Sequence, residues 1–447
     1  MKRNLAFLSG LILILLGVPT MLGQSGFRLS EEVKRTKIKF ELVNNLVVLP
    51  VKVNGTPLNF ILDSGVNATI LFAFKEVDSV EIKNVKPVKL KGLGEGGSVD
   101  ALRSEGNLLE IGETRNNLST LYVIFDEDLD FSTRMGTSIN GIIGFDFFKN
   151  FIVKTNYVSK SISVYDPATY VPKKCRKCET FPLVFNQRKP YVTLRDTFSG
   201  DPSEHVLLVD SGSSDALWLF DQSGHIDSIQ KNFFDDFLGL GLSGNVYGKR
   251  SKLPSFQFGS FGLDNVKVAF PDARFLENIR QFQERDGSIG GDLLKRFTVT
   301  MDYAGKKMTL KKNANFKTPF HYNMSGLVIE HDGMVLIRNF EDQNNATISN
   351  KREQETNGMV TINLGTIVTK LLAPRYVIAE VRKDSPADLA GLKIGDVVIN
   401  VNGKSAQRYR LHELVAMFSS EAGKKISLQI ERNGVRSTLK FKLKKVI

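Results

Sequence analysis

A repeat with a nearly constant offset constrains this chain more than any single motif. Phe60-Ile61-Leu62-Asp63-Ser64-Gly65 returns as Leu207-Leu208-Val209-Asp210-Ser211-Gly212, 147 residues later. Gly92-Leu93-Gly94 returns at Gly239-Leu240-Gly241, and Leu109-Glu110-Ile111-Gly112 as Phe256-Gln257-Phe258-Gly259, both at that offset. Ile143-Gly144, Asp146, Lys149 and Phe151 then match Ile289-Gly290, Asp292, Lys295 and Phe297 at an offset of 146, and Tyr157 and Tyr303 keep this second register. Matched blocks in one order mark two homologous units, roughly residues 36–172 and 180–315.

Both units read as strands. Residues 47–53, the turn Asn54-Gly55 and residues 58–62 form a hairpin pattern, and residues 151–157 with 161–165 form another. Short apolar runs with glycine-containing turns predict all-β lobes, barrel-like or sandwich. Asp146 to Lys149 and Asp292 to Lys295 read as one short helix in each lobe. Trp218, eight residues past Asp210, reads as lobe core.

The chemical signal is the pair of Asp-Ser-Gly triplets, each ending a continuously apolar strand. A carboxylate at the end of a buried strand is costly unless it has a partner or a purpose. If the lobes pack about a twofold axis, Asp63 meets Asp210. Two carboxyl groups at hydrogen-bond distance cannot both ionise easily and share one proton. The ionised member can take a proton from water while the protonated one polarises a carbonyl. Ser64 and Ser211 would bond across the pair, and Gly65 and Gly212 would allow the tight turn that aims it.

These lobes resemble the aspartic proteases of the pepsin and retropepsin clan, above all bacterial two-lobed members similar to fused retropepsins. Both halves carry the Asp-Ser-Gly triplet and a later apolar-apolar-Gly element, Ile142-Ile143-Gly144 and Ser288-Ile289-Gly290; Ser288 departs from the apolar residue usual there. The resemblance implies Asp63 and Asp210 as catalytic residues acting without cofactor or metal. It also implies flaps closing over the substrate. The candidates are Gly92, Gly94, Gly96 and Gly97 in the first lobe and Gly239, Gly241 and Gly244 in the second; ordinary turn glycines are the other reading.

From Ser385 the pattern changes. Ser385-Pro386 starts a short helix that Gly391 stops, and an alternating strand turns at Asn402-Gly403. Leu411, Leu414, Val415 and Phe418 share one helix face, and two strands follow around Asn433-Gly434. This segment resembles the PDZ domains of bacterial envelope proteases, which implies that a peptide adds as an edge strand with its carboxylate held by backbone amides. Ser325, Gly326 and Leu327 resemble that carboxylate loop, and residues 341–358 read as an insertion. A packing role alone is the other reading. The expected fold is therefore mostly β: two homologous pepsin/retropepsin-like β-barrel lobes followed by a PDZ-like α+β domain over residues 320–447, with a linker near Pro319.

Lys2 and Arg3 precede an apolar run over residues 5–18, and cleavage is expected near Gly23, so residues 1–23 read as a signal peptide. An uncleaved anchor is the alternative, although the run is shorter than the roughly 20 residues of a bilayer span. Export to the periplasm, cell envelope or exterior is expected. Between the lobes, residues 173–179 hold the chain's two cysteines, Cys175 and Cys178. A second ligand pair for zinc is missing, so this linker predicts a local disulfide, with redox activity as the alternative. The net charge of +12 concentrates late: residues 371–447 carry 15 Lys and Arg against 7 Asp and Glu. Without a nucleic-acid motif or interleaved aromatics this reads as solvated surface, and no nucleic-acid partner is expected. The partners expected are a polypeptide substrate and a peptide or protein C-terminus at the PDZ-like domain. Two functions remain: an exported aspartic endopeptidase, or an inert protease-like scaffold that binds polypeptides.

Overall fold

The computed structural model describes residues 26–447 apart from 31, 73–78, 95–96, 127–128, 130, 196–202, 221–231, 277–284 and 342–366. The expected signal peptide, Gly96 and nearly all of the expected insertion lie outside the described residues. The fold is mostly β.

Four sheets organise the chain. A nine-stranded sheet holds strands between Arg28 and Ile143, and an eight-stranded sheet holds those between Val184 and Ile289. A six-stranded sheet joins the lobes in the order Cys178–Pro182, Lys307–Lys312, Phe297–Asp302, Ile152–Asn156, Ser161–Tyr165, Arg35–Lys39. At its centre Ile152–Asn156 runs antiparallel to Phe297–Asp302 with Lys154 opposite Thr300, the residue that the repeat aligns with it. A strand thus pairs with its own counterpart, which places a local twofold axis between them.

Local chemistry accounts for the hairpins. Leu46–Val53 and Thr56–Leu62 are joined by Asn54 (φ 48°) and Gly55 (φ 91°), both in the left-handed region that a two-residue primed turn requires. Cys175 and Cys178 are disulfide-bonded. One apolar core runs through both lobes and buries Phe60, Phe147, Val153, Phe256, Phe258 and Phe297 almost completely. Each such side chain contributes about 1.5–3 kcal/mol on burial. Trp218 is buried against Leu238, Val246 and Phe275. Its indole N–H donates to Asp215 at 2.7 Å, and Arg250 pairs with the same carboxylate at 2.6 Å.

The C-terminal unit has its own sheet, ordered Leu327–Glu341, Ile367–Val381, Val397–Val401, Lys425–Arg432, Val435–Lys442, and its own core around Ile378, Leu414, Phe418 and Leu428. Helix Pro386–Leu389 is capped by Ser385, whose hydroxyl accepts the Asp388 N–H at 3.3 Å. The chain is strand up to Glu341 and again from Ile367. Leu327–Glu341 and Ile367–Val381 form one ladder reaching Glu341 opposite Ile367, because a chain leaving Leu327 beside the returning strand can keep bonding to it.

The junction near Pro319 is packed. Arg296, 1% exposed, donates to the carbonyls of Asn315 and Thr318 and lies 3.4 Å from the Phe320 ring centre. Phe320 belongs to the core of the lobes. The Tyr322 hydroxyl lies between the carbonyl oxygens of Ser251 (2.6 Å) and Val268 (3.0 Å), which share its one proton. On the other side, first-lobe helix Phe131–Met135 lies against Leu327–Glu341, Arg134 pairs with Glu330 at 3.0 Å, and Arg410 pairs with Glu41.

Candidate active site

Each Asp-Ser-Gly triplet follows a strand whose last residues are buried, Phe60 to Leu62 in one lobe and Leu207 to Val209 in the other. Behind each runs a short parallel strand, Gly141–Ile143 or Gly287–Ile289. The Asp63 N–H donates to Ile143 O at 2.8 Å and the Asp210 N–H to Ile289 O at 2.9 Å. Gly144 is required here, since a Cβ would overlap the Asp63 carbonyl. The apolar-apolar-Gly elements therefore fix the backbone that aims the carboxylates, and Ser288 keeps the strand geometry.

The serines cross-link the loops. Ser64 Oγ donates to Val209 O (2.6 Å) and accepts the Ser211 N–H (3.0 Å). Ser211 Oγ donates to Leu62 O (2.8 Å) and accepts the Ser64 N–H (2.9 Å). The glycines then bring the carboxyl groups together. A Cβ on Gly65 would sit 2.8 Å from Asp210 Oδ1, and one on Gly212 would overlap the Asp63 carboxylate. Asp63 Oδ1 accepts the Gly65 N–H at 2.6 Å, and Asp210 Oδ1 accepts that of Gly212 at 3.1 Å.

Burial, and then the charge of Asp210, push the Asp63 carboxyl up to about 8, against the Gly65 N–H and Lys189, which pull it down. One proton is thus shared through neutral pH, with the titration belonging to the pair. Three residues that the sequence reading missed surround it. Burial and the Arg285 charge lower Lys189, while both dyad acids raise it. Burial lowers Arg285, which also feels Tyr191 and Asp210. Tyr303, stacked on Phe148 at 5.0 Å, is raised by burial and by Asp63. Lys189 escaped notice because its hairpin, Lys189–Arg195 with Glu204–Val209, holds a longer connection than the first-lobe one, so the repeat offset breaks before the second triplet. Tyr303 was visible as the partner of Tyr157, without a role.

The glycine-rich segments meet each other. Residues 92–97 join Val85–Leu90 to Val99–Ile111, and Leu242-Ser243 joins Phe234–Gly241 to Gly244–Phe258. Ser243 donates its N–H to Leu93 O (2.9 Å) and its hydroxyl to Gly97 O (3.1 Å), and accepts the Gly92 N–H (3.0 Å). Gly92, Gly94 and Gly241 have no room for a Cβ, whereas Gly97 and Gly239 face open space and Gly244 adopts φ 107°. Leu93 packs on the Trp218 cluster, and Leu240 and Leu242 pack on the first-lobe cluster that includes Val66, three residues past Asp63. Each tip is thereby anchored in the opposite lobe. Ser243 gave no sequence signal, since its partners are 146 and more residues away.

The expected carboxylate loop carries hydrogen bonds of its own. The N–H groups of Ser325 and Gly326 donate to Asn323 Oδ1 (3.0 and 3.2 Å), and that of Leu327 donates to Ser325 Oγ (3.0 Å). The amides proposed to hold a peptide carboxylate are already satisfied within the chain, because Asn323 folds back as a local acceptor. Gly326, at φ 83°, is needed because Ser385 packs against it.

Two family models match parts of this chain. Residues 49–147 match the family model described as aspartyl protease, and residues 377–432 match the PDZ domain. The chain thus carries an aspartyl protease domain and a C-terminal PDZ domain. Carboxy-terminal processing protease CtpB of Bacillus subtilis is 34% identical over 71 residues, 16% of this chain and 15% of that protein. Its CtpA counterpart is 43% identical over 53 residues, 12% and 11% of the two chains. A serine protease HtrA-like protein of Staphylococcus epidermidis is 31% identical over 116 residues, 26% of this chain and 18% of that protein. The chain spans less than a fifth of the length of these relatives. The crystal structure of an aspartic proteinase from Irpex lacteus aligns with 64% of this chain and 99% of its own, at 14% identity and a TM-score of 0.43.

Proposed function

We propose that this chain is an exported aspartic endopeptidase that hydrolyses peptide bonds with water activated by Asp63 and Asp210. The observation that carries the proposal is the meeting of two carboxyl groups at cross-linked strand ends, where each lobe's glycine leaves room for the other lobe's acid. In the monoanionic pair the ionised member takes a proton from water as the oxygen attacks, while the protonated member donates to the scissile carbonyl. No covalent intermediate is needed. Serine-protease names among the relatives bear on short stretches, so the aspartic assignment rests on the dyad geometry. Export rests on the charged and apolar start of the chain, and the PDZ domain assists recognition of polypeptides.

The test is cleavage of denatured casein across a range of pH by the wild type, Asp63→Asn and Asp210→Asn. Each Asn variant should fold and lose on the order of 10²–10⁴-fold in rate. Wild-type activity should be bell-shaped in pH. Comparable hydrolysis by the folded Asp210→Asn protein would instead leave a protease-like pair of lobes that bind polypeptides.

A further inference from the structure

The second-lobe hairpin whose tip meets the first-lobe tip is gripped at its root from outside its own lobe. Its first strand, Phe234–Gly241, breaks register with Gly244–Phe258 between Phe237 and Gly239. Such an irregularity bends a strand and sets its two parts at an angle. Beyond the bend lie Gly239, Leu240 and the tip. Before it lie Phe234, Asp236 and Phe237, and three other parts of the chain reach them. Arg134, on the first-lobe helix Phe131–Met135, places its guanidinium 4.3 Å from the Phe237 ring centre. Arg382 of the C-terminal unit lies 5.2 Å from the Phe234 ring centre, and Tyr322 of the junction meets the Phe234 ring edge-on at 5.2 Å. Within the hairpin, Arg250 donates to Phe237 O (3.2 Å) and pairs with Asp236 (2.7 Å). Asp236 is thus answered by its own partner strand.

Arg134 is held from two sides. Its Nε pairs with Glu330 of the C-terminal unit at 3.0 Å. The same cation reaches Glu380 on the neighbouring strand, a carboxyl that burial raises and Arg134 lowers. Arg134 Nη1 is buried and has no hydrogen-bond partner among the described residues. A cation that leaves water on that side gains most from an aromatic face, and Phe237 supplies one. The helix beneath is fixed as well. Met135 is buried with Ile61, two residues before Asp63, and Phe131 packs in the cluster that holds Leu240 and Leu242 of the hairpin tip.

We propose that Arg134, held by Glu330, is a positioning residue for the second-lobe flap. It seats the root of the hairpin through Phe237, so that the tip beyond the bend closes over a bound polypeptide. The C-terminal unit thereby takes part in substrate capture. The inference rests on the peptidase reading and adds to it a residue that touches neither the substrate nor the dyad.

Arg134→Met, Glu330→Gln, Phe237→Leu and the double variant Arg134→Met with Phe237→Leu are compared in the full-length protein. The substrate is a short casein peptide that the wild type cleaves. Arg134→Met should lower kcat/KM about tenfold, as a shielded cation–π contact provides, and mainly through KM. Both limits of the pH profile should stay where the wild type has them. Backbone hydrogen exchange over residues 237–241 should quicken, while exchange in the central six-stranded sheet is unchanged. Glu330→Gln should act in the same direction and serves if the Met variant fails to fold. The double variant should be no worse than Phe237→Leu alone, since both changes break one contact. Unaltered exchange and kcat/KM in folded Arg134→Met or Glu330→Gln overturn the proposal, as do effects of Arg134→Met and Phe237→Leu that simply add. A wild type that hydrolyses nothing, with exchange at the hairpin still quickened by Arg134→Met, would uphold the positioning role and remove the peptidase reading.

Discussion

The Asp63 carboxyl holds its proton up to about 8, against an ordinary value of 3.8, because it is buried beside a second acid. In the unfolded chain it ionises near the ordinary value. The folded state therefore binds more protons between about 4 and 8, and this contribution to stability is full below that window and lost as pH rises through it. Asp63→Asn should remove that dependence. Thermal unfolding at pH 5 and pH 8 should show the wild type losing more stability on the alkaline side than the variant; parallel behaviour would mean Asp63 is not held protonated. The serines carry a different role. Ser64→Ala removes the donor to Val209 and the acceptor of the Ser211 N–H, leaving a polar group of the dyad loops without its partner. A cost of about 1–3 kcal/mol is expected in denaturant unfolding.

At the scale of elements, the two hairpin tips act as one closure. Ser243 alone supplies three of the bonds between them, and Gly94, at φ 135°, leaves no room for a Cβ beside the Ser243 backbone. Gly94→Ala should impair turnover more than Ser243→Ala, since the former pushes backbone apart while the latter removes side-chain bonds only. Steady-state kcat/KM on one peptide, with melting temperature as control, separates them; equal effects would mean the tips need not meet during turnover. Much of this scale was legible in the sequence. The Asn54-Gly55 turn, the Ser385 cap and the buried stripe Leu411, Leu414, Phe418 are local, and each is decided by residues within a turn or two. The meeting of the tips depends on the long-range packing of the lobes. The motif at Ser325 likewise says nothing of Asn323, whose side chain accepts from the Ser325 and Gly326 amides.

Across the whole molecule the lobes and the PDZ domain share more than a tether. Ending the chain at Lys317 removes the Thr318 carbonyl and the Phe320 ring from around the buried Arg296, which keeps Asp292 and the Asn315 carbonyl as partners. A hydrogen bond from a charged group contributes about 1.5–3 kcal/mol. A chain ending at Lys317 should thus unfold well below one ending at Asn323, which keeps Phe320 and Tyr322; equal melting temperatures would return the segment to the status of a linker. Sequence showed two lobes and a third unit but not this seam, because Arg296 falls where the first lobe has Asn150 and nothing nearby announces its partners.

The central sheet, where Lys154 faces Thr300 across the local axis, has a further consequence. A site assembled on such an axis from two identical polypeptides would receive every substitution twice, so one basic wall would always mean two. Carried on one polypeptide, each wall can change by itself. A buried arginine, Arg285, can stand in one lobe where the repeat keeps Ile139 in the other. The continuous backbone gives the cleft a direction, and a directional cleft can tell the two ends of a peptide apart.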